Sequence, residues 1–127
     1  GAATAFVRIP IDSVRPGRPG FFTFERDQES LTGFVVLHEG VYNAYVNRCP
    51  HVPYSLDFGD EEVMDKDGQF ILCQTHGARF LPESGACFWG PPMGFSLERF
   101  PCREDGGVLE ITILPEPPGW PSPEPCQ

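Results

Sequence analysis

Proline and glycine punctuate this chain so densely that no long helix can be laid through it. Fifteen prolines and fourteen glycines are spread over 127 residues. Proline removes a backbone donor and clashes inside a helix, and glycine weakens a helix interior. A chain broken this often, outside any repeat, therefore turns often and builds short extended runs. No segment free of both residues carries an apolar stripe of helical period of useful length. What lies between the breaks is β-prone, at 5–9, 21–25, 31–37, 41–46, 69–72, 79–81, 86–88, 95–100 and 108–113. The expected fold is all-β, with small antiparallel sheets stacked as a sandwich or partial barrel.

The turns fix how these runs connect. His38-Glu39-Gly40 separates two apolar runs and predicts a hairpin with glycine at the tight position. Residues 16–20 form a proline-glycine loop, residues 82–85 turn the chain back, and residues 104–107 read as a turn before a closing strand. Within 95–100, alternation places Phe95, Leu97 and Arg99 on one face and Ser96, Glu98 and Phe100 on the other. Residues 1–114 read as one domain. Residues 115–127 read as an appended tail whose six prolines favour an extended, sheet-incompatible backbone. That tail is either a docking segment anchored by Trp120 or a wrap that seals an edge strand of its own domain.

Two short stretches carry the chemistry. Cys49-Pro50-His51 and Cys73-Gln74-Thr75-His76-Gly77 each offer one thiolate and one imidazole. Two irons bridged by two sulfides need four terminal ligands, and two cysteines with two histidines make the set of a Rieske centre. Close spacing suits it, because within each loop the cysteine and the histidine diverge to different irons. A structural Cys2His2 zinc site is the alternative for the same donors, although such sites use wider gaps than C-x-H. The hairpin arm at 41–46 runs straight into the first stretch, and the run at 69–72 feeds the second.

Around these ligands the chain resembles the Rieske-type ferredoxins over roughly residues 4–114. The resemblance is carried by Asn47-Arg48-Cys49-Pro50-His51, Ser55-Leu56-Asp57, Phe70-Ile71-Leu72-Cys73-Gln74-Thr75-His76-Gly77-Ala78-Arg79-Phe80, Ser84-Gly85 and Gly90-Pro91-Pro92. It implies a Rieske-like fold with a small cluster-binding subdomain at one end. It also implies one [2Fe-2S] cluster per chain, held by Cys49, His51, Cys73 and His76, with the Gly-Pro-Pro segment as a third loop closing over it. The stretch between the ligand pairs is a few residues longer than in small members of the family, the excess falling within 58–68. High-potential members bridge their loops with an extra pair of cysteines, where this chain has Tyr54 and Thr75.

The ligand set implies electron transfer. Thiolates from Cys49 and Cys73 favour the iron that stays ferric, and neutral imidazoles from His51 and His76 leave the other iron to take the electron. High-potential members also place hydroxyls where this chain has Ala78 and Phe80. Without those hydrogen bonds the reduced cluster is less favoured, so a potential toward the bottom of the Rieske range is expected. The resemblance implies a soluble one-electron carrier, fed by an NAD(P)H-dependent flavoprotein reductase and serving a terminal oxygenase. A small Rieske subunit of a multi-subunit oxidoreductase, such as a nitrite reductase, is the alternative.

Other classes are set aside by counting. An oxygenase's non-haem iron needs two more histidines, and His38 is the one left over, so no catalytic residue is assigned. A formal charge of −9 argues against a nucleic-acid partner and suits a partner with a basic docking face. No apolar run is long enough to span a membrane and no signal peptide is visible, so a monomeric cytoplasmic protein is expected. Of five cysteines, Cys87, Cys102 and Cys126 are left over, as thiols or with a Cys87–Cys102 bridge. The acidic run Asp57, Asp60, Glu61, Glu62, Asp65 and Asp67 reads either as a steering surface or as a solvated loop. Phe88 and Trp89 are expected to pack beneath the third loop.

Overall fold

The computed structural model describes residues 5–26, 28–48, 56, 63–65, 67–73, 77–90 and 96–114. Its strands are β1 (Ala5–Pro10), β2 (Gly20–Arg26), β3 (Glu29–His38), β4 (Val41–Val46), β5 (Ile71–Leu72), β6 (Arg79–Phe80), β7 (Cys87–Trp89), β8 (Arg99–Phe100), β9 (Cys102–Asp105) and β10 (Val108–Ile113). One turn of 3-10 helix, Ile11–Ser13, follows β1. The strands form three sheets that do not close into a barrel, in the orders β1-β10-β9, β2-β3-β4-β8 and β5-β6-β7. Every strand pairing is antiparallel. Among the described residues no helix is long and apolar enough to cross a membrane.

The four-stranded sheet is the middle layer and is buried on both faces. Successive side chains of a strand point to opposite faces. Along β3, Phe34 and Val36 enter one apolar cluster with Leu56, Ile71, Cys73, Ala78 and Phe80. Val35 enters a second, with Ile9, Phe22, Phe24, Leu109 and Ile111. β4 divides likewise, sending Tyr45 to the first cluster and Ala44 and Val46 to the second. This is why 34–36 reads as an unbroken apolar run rather than an alternating one. The first cluster lies toward β5-β6-β7 and the second toward β1-β10-β9.

The hairpin at 38–40 forms as the sequence predicts. Glu39 and Gly40 both take positive φ, 51° and 78°, between the paired residues His38 and Val41. A two-residue connection with both φ positive matches the right-handed twist of its strands, so β4 is held in register as it approaches the first ligand stretch.

Two predicted details differ. β9 was not expected, and the turn it makes with β10 is narrower than 104–107, since Asp105 already pairs with Val108. In the run ending at Phe100, Leu97 and Phe100 enter opposite clusters as the alternation predicts, but both faces are buried there and Arg99, placed with Leu97, is exposed. Phe95 lies outside the described residues.

Glu98 is buried because it meets Arg26. The guanidinium donates two hydrogen bonds to the carboxylate, at 2.7 and 3.1 Å, and each side chain is 6% exposed. Arg26 also lies near the rings of Phe24 and Phe100, at 5.7 and 6.0 Å from their centres, and reaches the Leu114 carbonyl at 3.3 Å. A second carboxylate, Glu110, stands between its neighbours across the sheet. Arg103 and Arg8 donate to it at 3.0 and 2.8 Å, and those bonds hold its carboxyl below the usual range.

Candidate metal centre

The second ligand stretch hangs from the β5–β6 hairpin. Leu72 N–H donates to the Val63 carbonyl at 2.8 Å, which props β5 from its other side. Beyond β5, Cys73 N–H donates to the Ala78 carbonyl, and Gly77 N–H donates back to the Cys73 carbonyl, both at 2.8 Å. The chain thus leaves and re-enters the hairpin across a closed neck. Cys73, Ala78 and Phe80 are fully buried in one cluster with Leu56 and Ile71. The structure therefore places Cys73, of the four expected ligands, at the end of a strand and inside the core. Cys49, His51 and His76 lie outside the described residues.

The first ligand stretch is closed at its mouth. β4 ends at Val46, whose N–H donates to the Glu98 carbonyl at 2.9 Å, and the Asn47 N–H donates to the Thr32 carbonyl at 2.8 Å. Asn47 is 7% exposed, and its Oδ1 accepts a hydrogen bond from the Leu56 N–H at 2.9 Å. Sequence reasoning assigned Asn47 no task. The available signal was a short amide side chain immediately before a loop that must be held shut.

Gly90 begins the third segment by lying directly on the second. Its φ is +103°, and a Cβ placed there would stand 2.8 Å from the Ala78 Cα. Pro91 and Pro92, the expected lid, lie outside the described residues. Phe88 and Trp89 do not pack beneath a loop as expected. They are 37% and 56% exposed, because β7 is the outer strand of its sheet. The Phe88 ring packs on Phe70 with centres 4.9 Å apart, and Arg79 covers the Trp89 ring at 5.6 Å.

The remaining candidates resolve locally. Cys87 and Cys102 are not bridged. Cys87 belongs to the cluster that contains Cys73, whereas Cys102 packs against the other, where burial pushes its thiol up to about 11. Of the acidic run, Asp65 organises a turn, its Oδ1 accepting from the N–H groups of Gln69 and Phe70 at 2.7 and 3.0 Å. Residues 57–62 of that run lie outside the described residues. His38 stands 3.6 Å from Glu83.

The described residues fit an iron–sulfur cluster. A soft thiol donor stands at the end of a propped strand, with its own N–H and carbonyl tied across the neck of its loop. The ends of the first stretch are tied together by the Asn47–Leu56 bond, with Leu56 buried in the cluster that holds Cys73, and a glycine brings the start of the third segment against Ala78.

A family model of the Rieske [2Fe-2S] domain matches residues 6–101. Over 83 residues the chain is 34% identical to the ferredoxin component of the alkene monooxygenase system of Xanthobacter autotrophicus, covering 65% of this chain and 63% of that protein. Over 89 residues it is 34% identical to the oxidoreductase NdmD of Pseudomonas putida, covering 65% of this chain and 14% of that protein. The chain thus spans less than two thirds of either relative. Among solved structures, the ferredoxin of carbazole 1,9a-dioxygenase from Nocardioides aromaticivorans IC177 superposes with a TM-score of 0.63. That likeness has 26% identity and covers 87% of this chain and 98% of the ferredoxin. The buried cysteine at the hairpin neck, the stacked open sheets and the match across 6–101 agree, and the chain belongs to the Rieske [2Fe-2S] domain family.

Proposed function

We propose that this chain is a one-electron carrier whose cluster is held by Cys49, His51, Cys73 and His76. It takes electrons from an NAD(P)H-dependent flavoprotein reductase and delivers them to a terminal oxygenase, as a monomeric cytoplasmic ferredoxin. Residues 1–114 form the carrier domain, and 115–127 are appended to it. The observation that carries this reading is the placement of Cys73, buried at the neck of a loop whose two ends are locked together. One similar relative is the ferredoxin component of an alkene monooxygenase system, and the similar solved ferredoxin belongs to a carbazole dioxygenase. The net charge of −9 suits docking to basic faces on both partners.

When bound, the cluster stores one electron at a potential set by its ligands and their surroundings. The chain's own part is to hold four donors rigidly, so that little has to move as the charge changes. It also sets the polarity around the sulfurs. Ala78 and Phe80 offer no hydroxyl and are fully buried in the same apolar core as Cys73. Two hydroxyls fewer near the sulfurs means that less of the added charge is dispersed.

The reduced protein, examined by electron paramagnetic resonance with iron, sulfide and zinc analysis, should give a rhombic signal of low average g and two irons per chain. An absent signal with stoichiometric zinc would overturn the reading. The reduction potential should lie toward the bottom of a range of roughly −150 to +300 mV. Ala78→Ser and Phe80→Tyr should each raise it, as measured by film voltammetry; a potential well above zero for the unaltered chain would contradict the role given to these two residues.

A further inference from the structure

We infer that Asn47 is a positioning residue for the metal centre: its side-chain oxygen locks the mouth of the first ligand loop and sets that loop's place relative to Cys73. The inference rests on the assignment of Cys49 and His51 as ligands. Residues 47 and 56 flank the stretch that contains both, and the Asn47 Oδ1 holds the Leu56 N–H at 2.9 Å in a buried setting. Each end is referenced to a different part of the core. The Asn47 N–H is fixed to Thr32 of β3, whereas the Leu56 side chain is fully buried beside Cys73, Ala78 and Phe80.

One side-chain bond therefore joins the strand that delivers the first ligand pair to the core that seats the second. A cluster held from two loops tolerates little drift between them, since metal–ligand distances are fixed to within a few tenths of an ångström. Among the described residues, Leu56 lies outside every strand, so strand pairing does not hold it in place. Removing the Asn47 oxygen leaves the Leu56 N–H buried with its acceptor gone, a penalty that a slight opening of the loop mouth relieves by admitting water. The predicted failure is thus a looser grip on the cluster and not merely a weaker fold.

A matched control stands four residues earlier, on β4. Asn43 is also buried, at 2% exposed, but its Nδ2 donates to the Pro82 carbonyl and its Oδ1 accepts from Arg99, so it ties together no part of a ligand loop. The experiment uses the cluster-loaded full chain and follows loss of visible absorbance under an iron chelator, well below the melting temperature of each variant. The g values of the reduced protein are recorded alongside.

Asn47→Ala should release the cluster about ten times faster than the unaltered chain, the scale expected for orphaning one buried donor, with shifted g values. Asn47→Asp, which keeps an acceptor oxygen in place, should stay within about threefold of the unaltered rate. Asn43→Ala should lower the melting temperature while leaving release and g values unchanged. Should Asn47→Ala yield no folded protein, Asn47→Gln displaces the same oxygen by one methylene and is judged by the same criteria. An unaltered release rate on removal of the oxygen, an Asp variant as leaky as the Ala variant, or an equal effect at Asn43 would each overturn the proposal. An unaltered chain that binds no iron–sulfur cluster would instead bring down the ligand assignment beneath it.

Discussion

Replacing Glu98 by alanine is expected to cost about 3–5 kcal/mol of folding stability, the range for removing one partner of a buried ion pair. Both side chains are 6% exposed, and the bidentate geometry engages both terminal nitrogens of Arg26. Without Glu98 the guanidinium keeps two aromatic rings and one carbonyl, none of which neutralises its charge. A denaturation midpoint series would measure this. The companion double variant Arg26→Met with Glu98→Leu should recover most of the loss, because an apolar pair of similar volume avoids desolvating two charges. A cost below about 1 kcal/mol for Glu98→Ala would mean that water reaches the pair.

Gly90→Ala is expected to be the most damaging of the small substitutions near the centre. At φ +103° any side chain is strained, and the added carbon would meet Ala78 backbone at 2.8 Å, so one backbone segment has to move away from the other. The combined cost is about 2–4 kcal/mol. Ala78 lies at the neck of the loop that carries Cys73, so the displacement should also empty the centre of iron. Gly40→Ala is the contrast. Its φ is +78°, yet no atom lies within 4 Å of the added carbon, so it should cost about 1 kcal/mol and leave the iron content intact. Iron analysis and melting curves on the two variants separate strain in general from strain against the ligand loop. Full iron retention in Gly90→Ala would show that the third segment does not bear on the second.

The lines of the fold that sequence reading recovered are those where local chemistry decides the conformation. The hairpin at 38–40 needed a glycine where φ is positive, and the run at 41–46 became β4 with those bounds. The proposed ligand pairs stand out in the sequence because residue types and spacing of that kind are what a metal dictates rather than packing. β9 was missed for the opposite reason. It is an outer strand made of Cys-Arg-Glu-Asp, largely exposed, so no burial period marks it. The buried state of Glu98 was invisible because its partner stands far off in the chain, and a charged residue in the interior makes sense once Arg26 is seen beside it. Phe88 and Trp89 were placed inside on their apolarity, but an outer strand beside a loop has no layer above it to cover them. Asn47 was passed over because an amide before a ligand loop has meaning only when its partner at Leu56 is known.

The pairing of the first strand with the last bears on how the molecule is made. Ala5 lies opposite Ile113, so β1 has no partner until β10 has been synthesised. At roughly 5–20 residues per second, the intervening hundred or so residues take a ribosome about 5–20 s. For that time Val7 and Ile9 have no sheet to join, while the β2–β3–β4 meander can already form from neighbours in sequence. The β2–β3–β4 part of the middle layer can thus pair before the layer that contains β1, whose partner comes from the far end of the domain.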